Sequence, residues 1–293
     1  MSDFSQYRAL YMEQPAEVSI ETLALCNAAC NFCPYPTLER KGVSMPDAMI
    51  FDLIEQMAGF KTPFSVSPFK VNEPLLDKRL AGICRRIIQF VPAASLRIFT
   101  NGTPLTVDQI DWIAELPGDR VQHLWVSLNS LDADEYENVM QLPLRIVEKR
   151  LDALHAAVSS GHFKHEVVIS RVASGRVVTQ WQSTDPKDFA FIKEVTRRWP
   201  AFFPTLIKRD GWLGYVEPGD KRIPPRPCAR WYELNITATG NAALCCMDGK
   251  GEYSVGSVAT HKLLEIYNQP HLRKRREFSI TRAGIEPCAK CTY

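Results

Sequence analysis

Strand-length apolar runs alternate with segments of helical period along most of this chain, and that alternation restricts its fold more than any other feature of the sequence. Runs at 18–25, 65–69, 95–100, 122–128 and 166–172 read as strands. Segments 48–60, 77–90, 107–116, 132–140, 144–159 and 186–199 read as helices with one apolar face. Ile50, Phe51, Ile54 and Met57 mark that face in the first, and Leu80, Ile83, Cys84, Ile87 and Ile88 in the second, which makes Cys84 a core residue. Such alternation builds a parallel sheet. The sheet can be open and doubly wound or curl into a barrel, and periodicity does not choose between them.

The chain has 293 residues, enough for one large α/β domain or a medium domain and a small one. A net charge of +2 and a sequence pI near 8.0 argue against broad nucleic-acid binding. No apolar run approaches the ~20 residues of a membrane span, and residues 1–11 are polar and mixed in charge, unlike a signal peptide, so a cytoplasmic protein is expected. In that compartment nine cysteines point to metal or redox chemistry rather than disulfides. Cys26, Cys30 and Cys33 lie close together near the start, Cys84 stands alone, and Cys228, Cys245, Cys246, Cys288 and Cys291 lie in the last third. Two cysteine-based sites follow from that distribution.

The first three cysteines fit on one compact loop, delivered by the buried strand 18–25. Structural zinc wants four protein ligands, whereas an iron-sulfur cluster held by three thiolates keeps one iron open. The spacing CxxxCxφC, with Phe32 before the third cysteine, resembles the signature of the radical S-adenosylmethionine (radical SAM) superfamily. The resemblance implies a [4Fe-4S] cluster on Cys26, Cys30 and Cys33, whose open iron binds S-adenosylmethionine and cleaves it to a 5'-deoxyadenosyl radical. It also implies a partial (β/α)6, TIM-like barrel with the cofactor at the C-terminal ends of its strands. Asn72 and Glu73 fall where the family has a Gly-Gly-Glu type motif for the cofactor's amino group, with Asn72 in place of the last glycine. Thr100 and Asn101 match a Thr-Asn-Gly segment, Ser127 and Asn129 fall near the ribose, Arg171 suits the methionine carboxylate, and the Phe32 ring is expected beside adenine. The reductant implied is a flavodoxin or ferredoxin. The basic run 271–276 reads as a solvated helix face, or as a docking patch for that acidic donor.

After residue 204 glycine and proline gather, and a junction near 210 divides the chain into 1–210 and 211–293. Two short strands around Thr239-Gly240-Asn241 make a hairpin with Cys228 and Cys245 at its ends. A helix over 262–275 then leads to Cys288-Ala289-Lys290-Cys291. A zinc ribbon would use these four thiolates equally well. The pattern resembles the family's Twitch domain, a short form of SPASM, and so implies an auxiliary [4Fe-4S] cluster on Cys228, Cys245, Cys288 and Cys291. The expected fold is therefore α/β, a partial barrel with a small C-terminal hairpin-and-helix iron-sulfur domain.

Cys246 is left over beside a proposed ligand. Its S–H bond is weaker than an activated C–H bond, so it can return a hydrogen atom to a substrate radical from the opposite face. That would make the chain an epimerase of an aminoglycoside or aminocyclitol-type small molecule, as some members of the family are. Other members oxidise an aminocyclitol alcohol, which needs an electron exit and a base; Asp248 and Glu252 are candidates for that base or for binding substrate ammonium groups. Peptide epimerisation is a third reading. Outside catalysis the rival is a zinc-binding scaffold or nucleic-acid-binding module.

Overall fold

A computed structural model describes residues 4–277, 281–282 and 284–293. The chain opens with α1 (Phe4–Tyr11), β1 (Glu17–Ile20), α2 (Asp47–Ala58), β2 (Phe64–Ser67), α3 (Leu80–Phe90), β3 (Ala94–Thr100), α4 (Val107–Ala114) and β4 (Val121–Ser127). It continues through α5 (Ala133–Met140), α6 (Leu144–Ser159), β5 (Val167–Val172), the short strands β6 (Val177–Thr179) and β7 (Gln182–Ser183), α7 (Pro186–Arg198) and β8 (Phe203–Ile207). The last third holds β9 (Glu233–Ile236), β10 (Asn241–Ala243), β11 (Ser254–Ser257), α8 (Leu263–Tyr267) and α9 (Pro270–Glu277).

The main sheet runs β11-β10-β9-β1-β2-β3-β4-β5-β8. From β1 to β8 every neighbouring pair is parallel, giving the six strands expected of the partial barrel. Alternation within the strands divides two faces. Val18, Ile20, Val66, Leu96, Ile98, Leu124 and Val126 are buried in a single core that takes in residues of α2 to α7. The opposite face carries Glu17, Ser67, Arg97, Phe99, His123 and Trp125. There Arg97 donates to Glu17 at 2.6 Å, Ser67 donates to Glu17 at 2.7 Å, and Phe99 stacks on Phe69 at 5.0 Å.

Several expectations need correction. The sixth strand, β8, was not legible because Pro204 lies inside it; proline is tolerated there because β8 is the edge of the sheet. The hairpin forms, with β10 antiparallel to β9, yet it does not stand apart. β9 pairs in parallel with β1, from Glu17 opposite Glu233 to Ile20 opposite Ile236, so one sheet runs through the expected junction. β11 adds a third strand whose one large apolar residue, Val255, offered no periodic signal. The helix expected over 262–275 is two helices, with Asn268 closing the first and Pro270 opening the second, since proline cannot continue a helix. Nor is its basic run wholly solvated: Arg276 is buried with its guanidinium 3.7 Å from the Tyr267 ring centre. Cys84 is fully buried in the core. Among the described residues no helix is long and apolar enough to cross a membrane.

Candidate active site

Residues 21–33 leave the C-terminal end of β1, where parallel barrels gather their chemistry. Ala29 N–H donates to the Met140 carbonyl at 3.3 Å and Asn31 N–H to the Val139 carbonyl at 3.0 Å, so the loop satisfies carbonyls left open at the end of α5. Cys33 N–H donates to Cys30 O at 3.2 Å, which folds the loop back on itself. The Cys26 sulfur accepts from Ala28 N–H at 3.4 Å. Burial pushes the Cys26 thiol up to about 11 and that of Cys33 up to about 12. Three soft donors on one pinned loop fit an iron-sulfur group, which would take them as thiolates.

Glu73 sits beside this loop, its N–H donating to Leu25 O at 2.8 Å. The buried carboxylate accepts from Thr100 Oγ1 at 2.9 Å, Asn101 N–H at 2.6 Å and Leu75 N–H at 3.2 Å. Burial outweighs these donors and raises its pKa to about 7. Asn101 in turn donates to Asn27 Oδ1 at 2.8 Å, beside Cys26. Gly102 closes the turn at φ +82°, with its missing Cβ facing Val147 and Val126. Asn72 accepts from Lys70 N–H at 2.9 Å, while its own Nδ2 is buried without a hydrogen-bond partner among the described residues. Glu73, Thr100, Asn101 and Asn72 are thus brought together around the three-thiol loop. Phe32 packs against the main core from a half-buried position, and Ser127 ends β4, also half-buried.

Arg171 and Asn129 are placed differently from expectation. Arg171 donates through Nε to Asp188 at 2.7 Å, through Nη2 to Glu135 and Ser174 at 2.8 Å each, and through Nη1 to Glu135 at 3.1 Å and to the Asn129 carbonyl. All five guanidinium donors are therefore committed to protein acceptors. Asn129, at φ +65°, uses Oδ1 to accept from Val172 N–H at 2.8 Å and points Nδ2 at the Met140 sulfur. Both act as struts between the ends of β4 and β5.

In the last third Cys228, Cys245, Cys288 and Cys291 line one apolar cavity with Trp231, Leu244, Met247 and Tyr293. Arg230 and Arg282 line it as well. Four thiols around one enclosed space fit a tetrathiolate iron-sulfur group. Cys246 is not among the lining residues. It is half-buried, packs alongside Cys245, Met247, Cys291 and Tyr293, and lies in the field of Arg230, Glu233 and Lys70. Glu233 pairs with Arg230.

Of the two substrate carboxylates proposed from sequence, Asp248 is engaged within its own loop. Asp248 is fully buried and accepts four backbone N–H groups, from Gly251 and Glu252 at 3.0 Å, Tyr253 at 3.1 Å and Leu244 at 3.3 Å. It is the knot of the 244–253 loop. Glu252 is exposed.

Two connections tie the two cysteine sites together and a third holds the first loop to the segment after β8, and sequence reasoning missed them all. The Lys70 ammonium, buried at the end of β2, donates to Asp248 O at 2.7 Å and Cys245 O at 3.3 Å. Arg40 forms a bidentate buried pair with Glu21 at 2.6 and 3.0 Å and donates to the Gly249 and Lys250 carbonyls at 2.9 and 2.6 Å. Arg209 donates to Asn31 O at 3.0 Å. Isolated basic residues in polar segments carry no periodic signal; only the position of Lys70 three residues before Glu73 hinted at a role.

The sequence matches the radical SAM superfamily over residues 20–173, just over half of the chain, and an iron-sulfur cluster-binding SPASM domain over 228–292. It is 29% identical over 100 residues to the S-adenosyl-L-methionine-dependent 2-deoxy-scyllo-inosamine dehydrogenase of Niallia circulans, covering 34% of this chain and 40% of that protein. The chain thus spans less than half the length of that curated relative. GTP 3',8-cyclase 2 of Pseudomonas aeruginosa is 24% identical over 262 residues, covering 75% of this chain and 76% of that protein. The crystal structure of BtrN in complex with AdoMet and 2-DOIA superposes with a TM-score of 0.57 at 16% identity, over 95% of this chain and 93% of that one. Streptococcus suis SuiB bound to the precursor peptide SuiA gives 0.62 at 13% identity, over 94% and 69%. These two likenesses show the fold. With the three-thiol loop at the mouth of a six-stranded parallel sheet, and the matched sequence running from the end of β1 through β5, the chain belongs to the radical SAM superfamily.

Proposed function

We propose that this radical SAM enzyme inverts a carbon centre in an aminoglycoside or aminocyclitol-type substrate, with Cys246 returning the hydrogen atom. The observation that carries the reading is the position of Cys246. It adjoins the four-thiol cavity without being one of the four thiols that line it, and it lies in the field of Arg230, Glu233 and Lys70, which supports a role other than ligation. S-adenosylmethionine on its [4Fe-4S] cluster supplies, when bound, a 5'-deoxyadenosyl radical that removes hydrogen from a substrate carbon. Glu73 would receive the cofactor's ammonium, and Asn72 would offer its unpartnered amide N–H to an acceptor on the cofactor. The Cys246 S–H bond then breaks and a C–H bond forms on the opposite face. One electron from the reductant and one proton from solvent restore the thiol. A polar substrate suits the sheet face that carries Glu17, Ser67, Arg97 and His123 beside aromatic rings.

Alcohol dehydrogenation is the second reading, supported by the similarity to the inosamine dehydrogenase. Asp210 would then serve as the base: it follows β8, burial raises its pKa to about 6, and its Oδ1 lacks a hydrogen-bond partner among the described residues. Turnover of candidate aminocyclitols and amino sugars in deuterated water separates the two. The epimerase incorporates one deuterium at the inverted carbon, and Cys246→Ala still forms 5'-deoxyadenosine but no epimer. A ketone product without solvent deuterium, unaffected by Cys246→Ala, establishes the dehydrogenase instead.

A further inference from the structure

Two buried cations stand out because, among the described residues, no Asp or Glu side chain bonds to either, although Asp210 lies in the field of Arg282 and Asp248 and Glu21 lie in that of Lys70. Lys70 is 3% exposed and Arg282 is 2% exposed. Lys70 donates only to the Cys245 and Asp248 carbonyls. Arg282 donates to the Arg226 carbonyl at 3.2 Å and to the main-chain oxygen of Tyr293. Among the described residues neither forms an ion pair with an Asp or Glu side chain. Asp248 makes no hydrogen bond to Lys70 through its carboxylate, whose oxygens are turned to backbone N–H groups, but its charge acts on the ammonium and opposes the burial that lowers the Lys70 pKa.

Elsewhere the fold provides a partner. Arg40 has Glu21, Arg171 has Glu135 and Asp188, Arg230 has Glu233, and Arg276 has the face of Tyr267. A buried charge held only by main-chain oxygens is costly, and an anion placed beside it would offset that cost. Both exceptions meet the same place. Arg282 lines the four-cysteine cavity, and Lys70 is bonded to the carbonyl of one of its cysteines.

We propose that Lys70 and Arg282 are counter-charges for an anionic tetrathiolate cluster in that cavity and that they hold its reduction potential up. The proposal rests on reading the four cysteines as a [4Fe-4S] site. Four thiolates leave such a cluster net negative, and one-electron reduction adds a further negative charge. Fixed cations in a low-dielectric enclosure favour the reduced form more than the oxidised one. Lys70 also joins this site to the first, since its backbone N–H is held by Asn72 beside Glu73.

The test is a potentiometric titration of the reconstituted holoenzyme followed by electron paramagnetic resonance, taking the signal that S-adenosylmethionine does not perturb. Lys70→Met and Arg282→Met should each lower the midpoint by at least tenfold in the reduction equilibrium, about 59 mV for one electron. Lys70→Arg and Arg282→Lys should titrate close to wild type. Loss of the second cluster's iron from the neutral variants alone would equally support a required charge. Wild-type midpoints in the neutral variants, or Lys70→Arg behaving as Lys70→Met, would overturn the proposal. Metal analysis comes first: zinc at the four-cysteine site of the wild type defeats the cluster reading itself, and the counter-charge inference falls with it.

Discussion

Lys70 donates to the Asp248 carbonyl at 2.7 Å, across 178 positions of sequence. That bond joins the segment carrying Asn72 and Glu73 to the loop carrying Cys245 and Cys246, so the cofactor-side and cluster-side elements share one anchor. Asp248 holds the far end through its side chain, which gathers four N–H groups of its own loop.

Asp248→Ala removes the acceptor for all four of those donors inside a buried loop. Hydrogen bonds to a charged group contribute about 1.5–3 kcal/mol each, and not additively, so a loss of about 3 kcal/mol or more is expected. Denaturant unfolding measures it, and iron bound at the second site should fall with it. A substrate-binding role would instead raise KM and leave stability unchanged.

Glu73 predicts a pH dependence with a definite sign. Its folded-state pKa of about 7 lies above the ordinary 4.5, so the folded protein binds more protons than the unfolded one between those values. Stability from this group is therefore full below about 4.5 and declines as pH rises towards 7. An ammonium ligand needs the ionised carboxylate, so S-adenosylmethionine affinity should run the other way and weaken below about pH 7. Calorimetric binding from pH 6 to 8 checks this, and Glu73→Gln should bind at least tenfold more weakly with a flat profile.

Gly249→Ala should disturb the contact between the two sites. A Cβ there would lie 2.6 Å from Pro34 Cγ, 3.1 Å from the Trp212 ring and 3.3 Å from Val71. Overpacking of this kind costs about 1–3 kcal/mol. Thermal unfolding and iron content should both drop relative to Gly118→Ala, where the added methyl meets nothing within 4 Å.

Arg171→Met should be a stability variant rather than a binding variant. It leaves Glu135 and the fully buried Asp188 without their partner, a loss of about 3–5 kcal/mol when one member of a buried pair is removed. The folded fraction should still bind S-adenosylmethionine within about twofold of wild type, by equilibrium binding at low temperature. A tenfold loss of affinity with unchanged stability would return Arg171 to the cofactor.

Local chemistry made much of the framework readable. The helix over 144–159 and its closing Gly161 were legible because apolar spacing and a left-handed stop are local properties. So were the five strands before residue 173 and the hairpin around Gly240. Pro204 hid β8, since a proline argues against a strand unless the strand is known to be an edge. Asp248 misled for a related reason: an acidic residue beside cysteines looks available until its four N–H partners are in view.

The sequence by itself determined the alternation that makes a parallel sheet, the two groups of cysteines and the family to which the first group belongs, because spacing along the chain carries all three. Only the tertiary structure decided that β9 pairs with β1, that Arg171 is spent within the protein, and that Lys70 and Arg282 meet at the four-cysteine cavity. Those facts depend on which distant segments come within hydrogen-bonding range. Pairing of that kind is set by the burial of the whole core, and no short window of sequence contains it.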